Sequence, residues 1–136
     1  PISHDNIYAM QSRVIEKIAK EKSCVIVGRT ADYVLRNHPC CINIFLHASM
    51  KARVKRIMHR GDVKSESEAQ AIAVKRDKLR AAFYNYYTDK AWGRASSYDL
   101  AIDTSSLSID DVVRIIADYV NIRIQSAFGE NPPKDC

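Results

Sequence analysis

Glycine is scarce in this sequence, with four in 136 residues, and none of the four stands in a GxxxxGK[ST] run. Within these residues that excludes the glycine-rich loop whose backbone N–H groups cradle nucleotide phosphates. There is no run of 18 or more apolar residues, so no helical membrane span is expected. The opening residues, Pro1-Ile2-Ser3-His4-Asp5-Asn6, lack the basic-then-apolar form of a secretory leader. The four cysteines, Cys24, Cys40, Cys41 and Cys136, show no CxxC or zinc-type spacing. Cys24 and Cys41 sit in apolar runs and read as small core residues. His38 with Cys40 and Cys41 reads as structural, because adjacent cysteines rarely both bind one tetrahedral ion. A reduced, cytoplasmic setting fits this cysteine usage. No internal repeat or low-complexity segment is present.

What is there is an ordinary globular balance, with 46% apolar and 27% charged residues. The length suits one domain with its own core. The net charge of +5 is unevenly spread. Residues 51–80 hold ten lysines and arginines against the acids Asp62, Glu66, Glu68 and Asp77. Such a stretch is either a solvated helix face or a surface for anionic partners.

Apolar spacing predicts a helix over 6–21 through Ile7, Met10, Val14, Ile15 and Ile18. Ser23–Gly28 and Cys41–Leu46 are short continuous apolar runs, the form of strands buried on both faces of a parallel sheet. Residues 31–37 make a short helical turn that stops before Pro39. Ser49 caps a helix to about Arg60, broken by Gly61-Asp62. Ser65 and Glu68 form a capping box for a long helix to about Tyr87, and residues 88–97 loop around Trp92-Gly93. Tyr98–Ile102 is a third strand. Ser108 and Asp111 begin a helix carrying Ile109, Val112, Val113, Ile116, Val120 and Ile124 on one face. Residues 127–136 end the chain as a polar tail, after a core over 1–126.

Strands alternating with helices argue a three-layer α/β fold with a parallel sheet, in which the three strands share one sheet. Ligands in such folds bind beyond the carboxyl ends of the strands. That rule points to Gly28-Arg29, to the helix from Ser49, and to Asp103–Leu107. Arg53, Arg56 and Arg60 share one helix face, and Arg76 and Arg80 repeat the pattern, with Asp77 spaced to orient Arg80. Like charges so close repel, which an anion would relieve. Arginine suits phosphate through its planar fork of donors. Five arginines converging would form a clamp for phosphoryl transfer; the alternative is surface arginines paired with local acids. The tyrosines over 84–87 read as anchors of a helix to its neighbour rather than stacking platforms for bases.

The order of these pieces resembles the cytidylate kinase-like family over about residues 10–125. The resemblance rests on Val25-Ile26-Val27-Gly28-Arg29, on Ile44-Phe45-Leu46-His47-Ala48-Ser49 with Arg53 and Arg56, and on Asp77-Lys78-Leu79-Arg80. It is completed by Tyr98-Asp99-Leu100-Ala101-Ile102-Asp103-Thr104-Ser105 with Leu107-Ser108-Ile109. It implies a P-loop kinase fold with a lid at about 61–80 and transfer of the ATP γ-phosphoryl group to CMP or dCMP with Mg2+. Arg29, with Asp32 as the nearest acid, would bind the acceptor. Arg56 would pack on adenine, Arg60 would reach the ATP phosphates, and the loop with Ser105 and Leu107 would border the adenine. Arg76 and Arg80 would close over the transferring group, oriented by Asp77.

The resemblance also implies the strand order 2-3-1-4-5, with the three visible strands as third, fourth and fifth. The phosphate-cradling first strand would then lie between 23–28 and 42–46, so those two would not be neighbours. An N-terminal segment or another copy of the chain would then complete the sheet, or the sheet would close in an order other than the family's. Two departures stand out. Thr30 occupies the place of an Asp that reads cytosine, and His47 the place of a common Asp. A reading of a different class is a non-catalytic module that binds nucleotide or RNA through the same arginines. Nucleotides rather than membranes or nucleic acid are the expected partners.

Overall fold

The computed structural model describes residues 3–61, 63–134 and 136. Asp62, expected with Gly61 to break a helix, and Asp135 of the expected tail lie outside the described residues, as do Pro1 and Ile2. The chain divides into two compact units, one of residues 1–42 and 117–136, the other of 43–116.

In the first unit, helix α1 spans His4–Glu21 and is capped by Ser3, whose hydroxyl accepts the Asn6 N–H. Ile15 and Ala19 are its buried residues. The segment Ser23–Gly28 departs from expectation. It forms no strand, and Val25 and Val27 are 93% and 89% exposed. Cys24 is exposed and Cys41 half-buried, so neither is a core residue. A continuous apolar run records what a segment would bury beside neighbouring strands, and no described segment pairs with this one. A short helix α2 follows over Ala31–Val34. Cys40 is joined to Cys136 by a disulfide, a pairing that the spacing did not suggest.

In the second unit, β1 (Ile44–His47) and β2 (Leu100–Asp103) form a two-stranded parallel sheet in place of the expected three strands. Its register sets Ile44 against Leu100 and His47 against Asp103. The two are neighbours, as the implied strand order requires of its last pair. Helix α3 (Met50–His59) is capped by Ser49, which accepts the Ala52 N–H at 3.1 Å. Gly61, at φ +81°, turns the chain where a side chain would be strained. Helix α4 (Glu66–Tyr87) starts from Ser65, which accepts the Glu68 N–H at 3.1 Å; the Glu68 carboxylate reaches the Lys64 N–H rather than closing the box on Ser65. Ala69 and Ala73 are 0% and 1% exposed where α4 packs on α3. Small side chains there allow the two helices to approach closely.

A cluster of rings closes the other end of this unit. Phe45 on β1 stacks on Tyr98 at 4.7 Å and meets Trp92 edge-on at 5.4 Å, and Tyr84 of α4 is buried. Helix α5 (Ile109–Phe128) begins with Ser108 accepting the Asp111 N–H. Its expected apolar stripe is only partly covered. Val112 is buried, whereas Ile109 and Val113 are 83% and 58% exposed. No helix is long and apolar enough to cross a membrane among the described residues.

Trp92 is the only tryptophan and touches Phe45, so it reports on this cluster. Phe45→Ala should lower unfolding stability by about 2–3 kcal/mol, below the ~3–5 kcal/mol of a buried aromatic because Phe45 is only half-buried. It should also move Trp92 emission to longer wavelength. Urea melts followed by that emission measure both, and an unchanged spectrum would show that the contact does not hold the ring.

Candidate functional site

The carboxyl ends of β1 and β2 carry the polar groups of the second unit. Side-by-side strands put the residues that follow them, Ser49 and Thr104-Ser105, next to one another. The Thr104 N–H and hydroxyl both donate to the His47 carbonyl, at 2.8 and 3.1 Å. The Ser105 hydroxyl donates to Asp103 at 2.6 Å and accepts the Ser49 N–H at 2.8 Å. The Ser105 hydroxyl, then its N–H, hold the Asp103 carboxyl below the usual carboxylate range; burial opposes this, and the charges of His47 and Arg56 add to it.

Arg56 reaches across from α3. It donates to the Thr104 hydroxyl at 3.1 Å and to the Thr104 carbonyl at 2.9 Å. An open groove of about 590 Å3 lies beside it, lined by Ala52, Lys55, Arg56, Met58, His59 and Ser105. Of the four residues expected to hold ATP, the groove brings together Arg56 and Ser105. Arg60 is exposed at the end of α3, and Leu107 is half-buried outside the groove lining.

The five arginines take different partners. Arg53 grips Asp77 with both guanidinium nitrogens, at 2.7 and 2.8 Å, while also donating to the Ala73 carbonyl at 3.2 Å. The physical reason is local. With α4 folded back on α3, the nearest anion to Arg53 is a carboxylate of the chain itself, and a bidentate pair is the strongest contact on offer. Asp77 also accepts from Arg80 at 2.6 Å, the orienting contact expected from the spacing. Burial tends to raise the Asp77 pKa, but hydrogen bonds and charge from Arg53 and Arg80 outweigh it and hold the carboxyl below its ordinary value. Arg80 lies with its guanidinium carbon 5.4 Å from the Trp92 ring centre. Arg76 is exposed and makes no hydrogen bond or ion pair with a described residue.

In the first unit Arg29 is exposed at φ +58°, and Asp32 is half-buried in α2. Thr30 is 4% exposed with its hydroxyl 2.8 Å from that of Tyr8. Sequence reasoning missed this contact, the Arg53–Asp77 pair, and the groove residues Lys55, Met58 and His59. A signal existed for the pair. Folding the chain back at Gly61 sets residue 53 opposite the middle of the next helix. Nothing in the spacing marks Tyr8 or His59.

A family model described as the cytidylate kinase-like family matches residues 1–106. A cytidylate kinase from Pyrobaculum calidifontis is 30% identical over 132 residues, which are 91% of this chain and 71% of that protein. One from Pyrobaculum islandicum is 35% identical, over 82% of this chain and 59% of its own length. One from Saccharolobus islandicus is 27% identical, over 90% and 61%. This chain thus spans three fifths to seven tenths of these relatives. A crystal structure of an uncharacterized protein from Eubacterium ventriosum superposes with a TM-score of 0.83 at 32% identity, over 90% of this chain and 69% of that one.

The lowered Asp77 pKa sets a pH dependence. A carboxyl depressed in the folded state adds stability that is fully present above its unfolded value, near 3.8, and is lost as pH falls through the folded value. Asp77→Asn should therefore cost about 1–2 kcal/mol at pH 7, less than the ~1.5–3 kcal/mol of a hydrogen bond to a buried charge because solvent screens this half-buried carboxylate. The difference from the unsubstituted chain should shrink as pH drops below about 4. Urea melts between pH 7 and 2.5 check this, and a pH-independent difference would remove Asp77 from the account.

Proposed function

This chain belongs to the cytidylate kinase-like family, and from that premise we propose that it is part of a nucleoside-monophosphate kinase that transfers the ATP γ-phosphoryl group to a pyrimidine monophosphate, CMP or dCMP. The observation that carries the reading is the groove at the carboxyl ends of two parallel strands, lined by Arg56, Lys55 and Ser105. Its apolar lining, Ala52 and Met58, suits a base, and its cations suit the phosphates that follow. We assign Arg56 and Ser105 to the adenine end of ATP, with Leu107 bordering it and Arg60 on the phosphate side. Mg2+ would arrive with the ATP that Arg56 and Arg60 hold, and would supply neutralisation of charge on the transferring group.

Arg76 and Arg80 act as lid arginines over the transferring group, within a lid at about 61–80. Phosphoryl transfer needs little beyond positioning and charge neutralisation, and two guanidinium groups supply both. Asp77 keeps Arg80 in place at 2.6 Å, and Arg76 has no described partner to release first. Arg29 takes the acceptor's phosphate, with Asp32 beside its nucleoside. The fold we propose is the three-layer P-loop kinase fold, with a core over 1–126 and a polar tail over 127–136. In it further strands pair with the open edge of β1 and with Ser23–Gly28. No GxxxxGK[ST] run occurs in this sequence, so we assign the cradle of the ATP phosphates to a further part of the polypeptide. Such a reaction draws on the nucleotide pool of the cytoplasm.

The missing GxxxxGK[ST] run also favours a second reading, a module that binds nucleotide or RNA without turnover. A coupled assay of the intact polypeptide with ATP, Mg2+ and each common monophosphate separates the two. Transfer to CMP or dCMP is expected; binding without transfer would leave only the module. In the active protein, Arg76→Ala or Arg80→Ala should lower kcat at least ~100-fold, with a smaller change in KM. Turnover like that of the unsubstituted protein in both variants would return these arginines to the surface.

A further inference from the structure

Three successive residues, Gly28, Arg29 and Thr30, have φ of +71°, +58° and +53°. Glycine adopts this left-handed region freely, arginine seldom, and a β-branched threonine least of all. Two strained residues in a row persist only when their surroundings over-determine them. The structure supplies those surroundings on the Thr30 side. Thr30 is 4% exposed, and its hydroxyl is 2.8 Å from the Tyr8 hydroxyl on α1. Its carbonyl accepts the N–H groups of Tyr33 and Val34, both at 3.0 Å, and the Gly28 carbonyl accepts that of Ala31 at 3.2 Å. Arg29, enclosed by these contacts, is exposed and makes no hydrogen bond or ion pair with a described residue. The backbone of an arginine whose side chain has no described partner is therefore held at a conformational cost.

We infer that Tyr8 and Thr30 form a lock that fixes the backbone of Arg29, so that its side chain starts from a set position and direction toward the phosphate of the nucleoside monophosphate. The inference rests on the kinase reading above and adds two positioning residues to it. Preorganisation is the physical gain. A guanidinium on a fixed backbone loses less freedom when it closes on a phosphate. Thr30 is 4% exposed and its hydroxyl faces Tyr8, so in this inference Thr30 acts through Arg29 rather than on the base. Tyr8 lies 21 residues from Arg29, on α1, and its hydrogen bond to Thr30 is the relay between them.

The test uses the intact polypeptide with Tyr8→Phe, Thr30→Val, the double variant and Thr30→Ser. Each of the first two deletes one hydroxyl and little volume. Each should raise the acceptor KM about 3- to 10-fold, the scale of one hydrogen bond. The loss should fall on acceptor KM rather than on kcat, and the KM for ATP should stay within about 2-fold. The double variant should be no worse than either single, because both remove the same bond. Thr30→Ser, which keeps the hydroxyl, should recover an acceptor KM close to that of the unsubstituted protein. A second readout needs no turnover. Trypsin cleavage after Arg29 should be faster in Tyr8→Phe and Thr30→Val, because the loosened segment opens more often. An unchanged acceptor KM in both singles, or losses that multiply in the double variant, would overturn the inference. If the unsubstituted protein transfers no phosphoryl group, the kinase reading falls, and the trypsin cut alone then decides the lock, an unchanged rate overturning it.

Discussion

The register of β1 against β2 fixes where the polar groups of the groove lie. Setting His47 beside Asp103 places the His47 carbonyl under Thr104, the Ser49 N–H under the Ser105 hydroxyl, and Thr104 within reach of Arg56. A slip of one residue would turn Phe45 away from Tyr98 and break each of these contacts together, because side chains alternate faces along a strand. The ring cluster and the groove thus depend on the same four-residue pairing. The aromatic contacts hold it from one side, and the hydrogen bonds of Thr104 and Ser105 hold it at its end.

Charge at α3 and α4 is allocated by geometry rather than by count. The basic stretch has more guanidinium groups than carboxylates, and Asp77 decides which of them are committed. It takes Arg53 on two nitrogens and Arg80 on one. Arg56 is committed to Thr104, with no carboxylate involved. Arg60 and Arg76 are left in solvent without a described partner. A paired arginine has lost part of its freedom and is already aimed, whereas a solvated one can move to an arriving anion.

Helix boundaries were the most legible part of the fold. Ser49, Ser65 and Ser108 each cap the helix expected of them, because a cap is a local bond between residues three apart. β1 and β2 were found to within about three residues, since an apolar run bounded by polar residues is enough to mark a buried strand. Ser23–Gly28 was not, because pairing is a property of two segments and the sequence displays only one of them. The site follows the same division. Asp77 with Arg80 is an i, i+3 pair and could be read directly. Arg53 with Asp77, Arg56 with Thr104 and Tyr8 with Thr30 are separated by 24, 48 and 22 residues, and only folding brings them together.

The near-zero exposure of Ala69 and Ala73 has a mechanical consequence. Alanine leaves no side chain long enough to slide or re-seat, and Arg53 clasps the same stretch through Asp77 and the Ala73 carbonyl. The two helices therefore behave as one stiff lever. At 1.5 Å per residue, the 22-residue α4 is ~33 Å long. A rotation of ~10° about its carboxyl end, where Tyr84 is buried, carries its amino end by roughly 5 Å while Arg80 moves by about 1 Å. Bending then falls to the linkers, at Ala48-Ser49 and after Thr88, and the grip of Arg56 on Thr104 is among the contacts that resist the swing.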